Sequence, residues 1–487
     1  MVSTRKTMIQ GFIVRAWALT ASPMAVFLIM GACSILAFAI LSPAGTGPDE
    51  VNHIYRVAGI ANGWILPHQY GEAEGMPLWG GEVPEQLHHA LHTLPQAPDF
   101  TVTSAYHEAI NAQEGTVPVN IPNTEVYSPV PYLPALLAYG LSWGCGFSVL
   151  TTIVLMRLFG GVAYLVLTAL VIVLVRNRNM QWLIAVVALV PVGLFQASIV
   201  SADTLTNVVV VAFSSIAALD VFLKQRLVKS QLVVLLIAAL ALPLMKPTYV
   251  LLVPLLLLVK SMRIWLRVSV TAAALVLFAF WYKMTGTAGY GMGWMRVRED
   301  RYQVLPNEQL QGVIHDPLYF VNSVIRTFFM DGNDWFTQAF GQMGYFHDGT
   351  LAASAVTPIA SLIALTLVAN LFLPQKNLRL ARWATSVIVL VSLGAIVGTL
   401  YLNFTVLGRN FVEGVQGRYL YPFFVLGIVL LATAIPAKLA LPASGSAGGW
   451  QRFVDTRKSW RVWVIGCCAV SILSAVVTFI IRYRMGV

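Results

Sequence analysis

The sequence predicts an all-α polytopic membrane protein, a single integral membrane domain over residues 1–487 with about eleven crossings. Three observations lead there. Hydrophobic residues make up 57% of the chain and charged residues 11%, with a mean hydropathy of +0.74, more apolar surface than a soluble core accommodates. Apolar runs of membrane-crossing length recur along most of the chain. Basic residues cluster in alternate gaps between those runs, as cytoplasmic loops do.

The first run, Met24–Leu41, is long for a signal-peptide core and lacks a small-x-small cleavage site, so it reads as an uncleaved anchor. Arg5, Lys6 and Arg15 precede it and set the N-terminus in the cytoplasm. A long first outer loop follows, residues 43–149, acidic between Pro43 and Ser128 with Arg56 as its basic residue. Within it Asp49–Asn62 carries Val51, Ile54, Tyr55 and Ala58 at helical spacing. Pro48 then falls at the N-cap or first position, and Asp49 and Glu50 sit in the first turn, where the helix dipole favours acids. Ala135–Gly146, entered through Tyr127–Pro134, is short, opened by prolines and closed by glycines. It reads as a helix lying along the outer membrane face.

Further spans are expected near Leu150–Val175, Gln181–Ile199, Leu205–Leu223, Ser230–Met245, Thr248–Val259, Val268–Lys283, Ala352–Leu373, Trp383–Tyr401, Tyr419–Leu439 and Val462–Ile481. This assignment places Arg176, Arg178, Lys224, Arg226, Lys229, Lys260, Arg263, Arg267, Lys376, Arg379, Arg382, Lys438, Arg452, Arg457, Lys458 and Arg461 inside. Were Ala135–Gly146 a crossing, all of these would face outward, so the positive-inside rule selects the interfacial helix. The C-terminus, with Arg482 and Arg484, is then external. Two crossings of a ~30 Å core need roughly 40 residues, more than Ser230–Lys260 supplies, so the tip Lys246–Tyr249 is expected below the outer surface. A second outer segment spans residues 284–351, the last outer loop is Asn403–Arg418, and Ala440–Gly449 is a small-residue linker. No internal repeat is evident.

The net charge of +10 belongs to membrane topology and implies no nucleic-acid partner. Cys33, Cys145, Cys467 and Cys468 lie in or beside apolar runs without metal-ligand spacing and read as buried hydrophobes. Glu85, His88, His89 and His92 have helical spacing that leaves a divalent metal possible.

Charge at the outer helix ends is the functional signal. Asp49, Glu50, Arg157, Asp203, Lys246 and Arg418 fall at one depth, and carboxylates with cations suit a phosphate beside a reacting hydroxyl. Each has a structural alternative: helix-start acids, an N-cap for Asp203, snorkelling for Arg157 and Lys246, and an interface anchor for Arg418 with Tyr419.

Four motifs carry a resemblance: Pro48-Asp49-Glu50-Val51-Asn52-His53, Ser201-Ala202-Asp203-Thr204-Leu205-Thr206-Asn207, Lys246-Pro247-Thr248-Tyr249 and Gln416-Gly417-Arg418-Tyr419-Leu420-Tyr421-Pro422. Together with the run Tyr127–Pro134 they resemble the GT-C superfamily of membrane glycosyltransferases. Within it they resemble a bacterial predicted-membrane-protein family of unassigned function. The resemblance implies a GT-C-like fold in the bacterial cytoplasmic membrane with the active site on the outer face. It implies a polyprenyl-linked sugar donor and a glycan, lipid or protein acceptor among membrane lipids. Asp49 then corresponds to the catalytic or metal-facing acid of the first outer loop, and in a glycosyltransferase it is the expected general base, with Glu50 beside it. His53, Arg56, Arg157, Asp203, Lys246, Tyr249, Arg418 and Tyr419 are the substrate-binding set. Metal-dependent members carry additional acidic motifs in outer loops, and this sequence departs from them in offering only Asp203 as a counterpart. A transporter or flippase, and a non-catalytic partner in cell-envelope polysaccharide assembly, are the alternative readings.

Overall fold

The computed structural model describes residues 22–73, 76–92, 104–112, 115–300, 304–344, 350–371, 377–434 and 459–484. The basic N-terminus, the linker 440–449 and Arg452, Arg457 and Lys458 lie outside them. Among the described residues the chain is a mostly helical, multi-pass membrane protein. Seven helices are long and apolar enough to cross alone: Pro23–Leu41 (α1), Val149–Leu174, Asp203–Val221, Ile264–Gly286, Arg379–Asn403, Gly417–Ala434 and Trp460–Ile481.

The expected count of eleven is therefore not reached by independent spans. The stretch Gln181–Ile199 is two helices, Arg178–Ala188 and Pro191–Ala197, bent by 67°. Pro191 opens the second half and Val190 before it is extended, as the ring of a following proline demands. The carbonyls freed by the break are met from neighbouring helices: Tyr164 donates to Ala188 O at 2.9 Å and Tyr421 to Val187 O at 3.1 Å. The hairpin limbs and Ala355–Thr366 are shorter apolar helices. The second limb, Pro247–Leu258, is a 3-10 helix of 12 residues, and its rise of about 2.0 Å per residue extends the reach of a short segment.

Between 43 and 149 the described residues form a folded layer. Glu50–Ala61 (α2) packs with Leu133–Cys145 (α3) over a core of Ile54, Val57, Ala58, Ala138, Tyr139 and Ile153. A three-stranded antiparallel sheet, absent from the sequence expectation, joins Gln69–Ala73, Met76–Pro84 and Thr116–Asn120. Its centre needs Gly80, where φ is +145° and a Cβ would lie 2.0 Å from Val119 O. The α3 helix has 13 residues, about 20 Å, too short for a bilayer core of ~30 Å. It exposes Leu133, Leu137 and Leu141 along one face and buries Ala135, Ala138 and Ser142 on the other. The segment expected as the second outer one begins inside a helix that runs from Ile264 to Asp300, and it includes Pro306–His315 and Pro317–Gly341.

Candidate functional site

Three buried arginines, indistinguishable in sequence, differ in what their donors meet. Arg157 directs Nε to Glu50 Oε1 and Nη2 to Glu50 Oε2, both at 2.7 Å. Its remaining donors meet Ala39 O, Ser42 O and Pro43 O. All five N–H groups are occupied. Glu50 also accepts backbone N–H bonds from Gly45, Gly47 and Val200 at 3.0–3.2 Å. This pair clamps the end of α1, the loop after it and the turn before Asp203. Arg157 and Glu50, expected at the phosphate and in the chemistry, meet each other and the surrounding backbone and so hold this frame.

Arg56 has four of its five N–H groups engaged, and its Nε has no partner among the described residues. It is fully buried, bonds Glu125 at 3.1 Å, and reaches the carbonyls of Trp64, Ile65 and Tyr127. Those contacts tie α2 to the aromatic-proline run rather than to a ligand space.

The other charges converge. Asp49 Oδ2 accepts from Arg418 Nη2 at 2.8 Å, and Asp203 pairs with Lys246. Lys246 Nζ lies 5.6 Å from the ring centroids of Tyr127 and of Tyr419, and the Arg418 guanidinium stands 5.4 Å from Tyr419, distances at which aromatic faces stabilise cations. His53 Nδ1 is 2.6 Å from the Tyr132 hydroxyl, its ring stacked on Tyr127. Tyr249 packs on Phe423 within electrostatic reach of Lys246.

Local structure explains each position. Asp49 precedes α2 with φ +58° and ψ +13°, a left-handed conformation that Asp and Asn tolerate better than most residues. It is thus the N-cap rather than a first-turn residue, and Pro48 lies outside the helix. In that conformation the carboxylate does not cap its own helix and points to Arg418. Asp203 opens its helix at the positive end of the dipole, with its N–H bonded to Ser201 Oγ at 3.1 Å. Gly417 delivers Arg418, because a Cβ there would lie 2.1 Å from Trp335 O.

Asp49 and His53 lie outside the spans, and both are electrostatically tuned. Burial alone would raise the Asp49 carboxyl, but Arg418 and its neighbours hold it below the usual carboxylate value. Burial pushes the His53 imidazole from 6.5 down to about 4, against the pull of Asp49. An unfolded chain therefore binds a proton at His53 between pH 6.5 and 4 that the folded chain refuses. Stability should fall as pH drops through that window, by about 3 kcal/mol in all. Melting curves in detergent should show this slope flattened in His53→Gln; an unchanged slope would remove His53 as its source.

Asn123, Tyr127, Tyr132 and Gln196 complete the site and were not among the expected residues. Asn123 donates to Asp49 Oδ1 at 3.4 Å and accepts from Asn52 at 2.9 Å. Gln196 approaches Asp203 Oδ2 at 3.5 Å and accepts from Asn207. Tyr127 and Tyr132 belong to a run whose aromatic and proline content was visible; the two amides carry no pattern. Among the described residues no three His, Cys, Asp or Glu side chains group as metal ligands. Glu85 and His89 pair at 3.5 Å on an exposed helix face, and the His92 side chain lies outside the described residues. Asp49 and Asp203 each face a cation, an arrangement that does not fit a divalent ion.

Residues 33–427 match a family described as "Predicted membrane protein (DUF2142)". No curated protein and no solved structure matches the chain.

Proposed function

This chain belongs to the DUF2142 family of predicted membrane proteins, and from that premise we propose that it is an inverting, GT-C-type glycosyltransferase. It would move a sugar from a polyprenyl-phosphate-type donor to a glycan, lipid or protein acceptor at the outer face of the bacterial cytoplasmic membrane. One observation carries the reading: the two cations of the cluster are buried with donors to spare. Among the described residues, Arg418 uses two of its five N–H groups, on Asp49 and on Pro48 O, and its Nε has no partner. Lys246 has, among the described residues, one hydrogen-bonding partner, Asp203. Unengaged cationic donors next to tyrosine rings suit an oxyanion. A small apolar cavity at the helix bend is lined by Val187, Val190, Pro191, Phe340 and Phe424. Phe424 lies on the helix that Arg418 opens.

In the proposed step Asp49 removes the acceptor hydroxyl proton while that oxygen attacks the anomeric carbon. The bond from that carbon to the phosphate oxygen breaks, and the leaving phosphate keeps the electron pair between Arg418 and Lys246. A phosphate leaves without a proton, so a single base suffices.

The test is binding of polyprenyl phosphate to the purified protein, with the parent polyprenol as control. Arg418→Gln and Lys246→Met are each expected to weaken phosphate binding about 10- to 100-fold, the worth of one charge-assisted contact. Equal affinity for alcohol and phosphate, or unchanged affinity in both variants, would overturn the assignment. A second reading, transport of the lipid phosphate, is favoured by the 67° break beside the site, a feature of transporters. Proteoliposomes distinguish the two: movement of lipid phosphate across the bilayer without an acceptor supports transport.

A further inference from the structure

The two sides of Asp49 face different surroundings. Oδ2 is held by Arg418, whose side chain is 4% exposed, whereas the Asp49 side chain is 32% exposed. Oδ1 meets only the long contact from Asn123 among the described residues. Arg418 is thus shared between a carboxylate it already holds and any anion its remaining donors would reach. It cannot serve both at full strength, because a second negative group on one guanidinium draws charge from the first and repels it.

We propose, resting on the phosphate reading above, that Arg418 keeps Asp49 unreactive until the phosphate anion of the lipid-linked donor occupies the cluster, so that anion binding and activation of the base are one event. In the resting pair the guanidinium stabilises the ionised carboxylate, which makes Asp49 a poor proton acceptor. A phosphate on Arg418 and Lys246 replaces that stabilisation with a neighbouring negative charge. Both changes act in one direction, raising the affinity of Asp49 for a proton. Oδ1, which Arg418 does not hold, is then the oxygen that meets an acceptor hydroxyl. The order follows: lipid-linked donor first, acceptor second. The other titratable groups facing Asp49 are His53 and Lys246. His53 titrates at about 4, close to Asp49 itself, so the measurement has to read the Asp49 carboxyl alone.

Isotope-edited infrared spectroscopy on aspartate-labelled protein, with Asp49→Asn as the subtraction, reads the protonation midpoint of Asp49 directly. Farnesyl phosphate is expected to raise that midpoint by one pH unit or more in the wild-type protein, and farnesol is expected to leave it alone. Arg418→Gln is expected to show the raised midpoint without ligand and little further shift with it. Saturable farnesyl phosphate binding with an unmoved midpoint in the wild-type protein would overturn the coupling and leave the phosphate site standing. Absence of saturable binding would overturn both. The wild-type arms decide the matter even if Arg418→Gln fails to fold.

Discussion

Asp49→Asn is expected to abolish glycan transfer, a loss of 10²–10⁴-fold or more, while the protein accumulates and melts much as the wild type does. Asparagine is the informative substitution. It keeps the side-chain shape, and it tolerates the left-handed backbone, with φ +58°, that alanine would occupy at a cost of about 1 kcal/mol. It also keeps an oxygen for Asn123 or Arg418 while removing the charge that takes a proton. The ion pair with Arg418 is a third exposed on the aspartate side, so solvent screens it and its loss should cost stability on the order of 1 kcal/mol or less. Mass spectrometry of surface glycans in a deletion strain, complemented by wild type or by the variant, checks the result. Full complementation by Asp49→Asn would end the assignment of Asp49 as the base.

How much of this was readable in advance divides along physical lines. Apolar runs announce helices, because burial in lipid requires them to be apolar throughout, and every expected crossing forms one at least in part. Where Gln181–Ile199 breaks, the signal was present in Pro191 but outweighed by the run around it. The sheet was hidden because Met76–Pro84 pairs with Thr116–Asn120 across a long stretch of chain, and prolines at positions 77, 84 and 118 argue locally against strands. Charges at helix ends located Asp49, Asp203, Lys246 and Arg418, which the fold brings together. The same signal also swept in Glu50, Arg56 and Arg157. Nothing local separates Arg157 from Arg418. The difference is that three backbone carbonyls and a carboxylate converge on the former, and only the folded chain sets that count.

The neighbouring acid sharpens the contrast. Glu50→Gln is expected to unfold the protein or lower its stability by roughly 3–5 kcal/mol, because one partner of a fully buried pair leaves Arg157 charged and uncompensated. Against a total stability of about 5–15 kcal/mol, that is enough to deplete the folded protein. Glutamine makes matters worse locally. Its amide group would turn N–H donors toward the N–H groups of Gly45 and Gly47 or toward those of Arg157. Removing the cation as well, in Glu50→Gln with Arg157→Met, should cost less than the sum of the two single changes, since the stranded charge is gone. It should not restore the wild-type value, since the carbonyls of Ala39, Ser42 and Pro43 lose their donor. Melting temperatures in detergent, with accumulation in membranes, measure all four proteins of the cycle. A Glu50→Gln protein as stable as wild type yet inactive would return Glu50 to the chemistry. The expected outcome assigns two adjacent carboxylates to different tasks: Asp49 reacts, and Glu50 holds the loop on which Asp49 is presented.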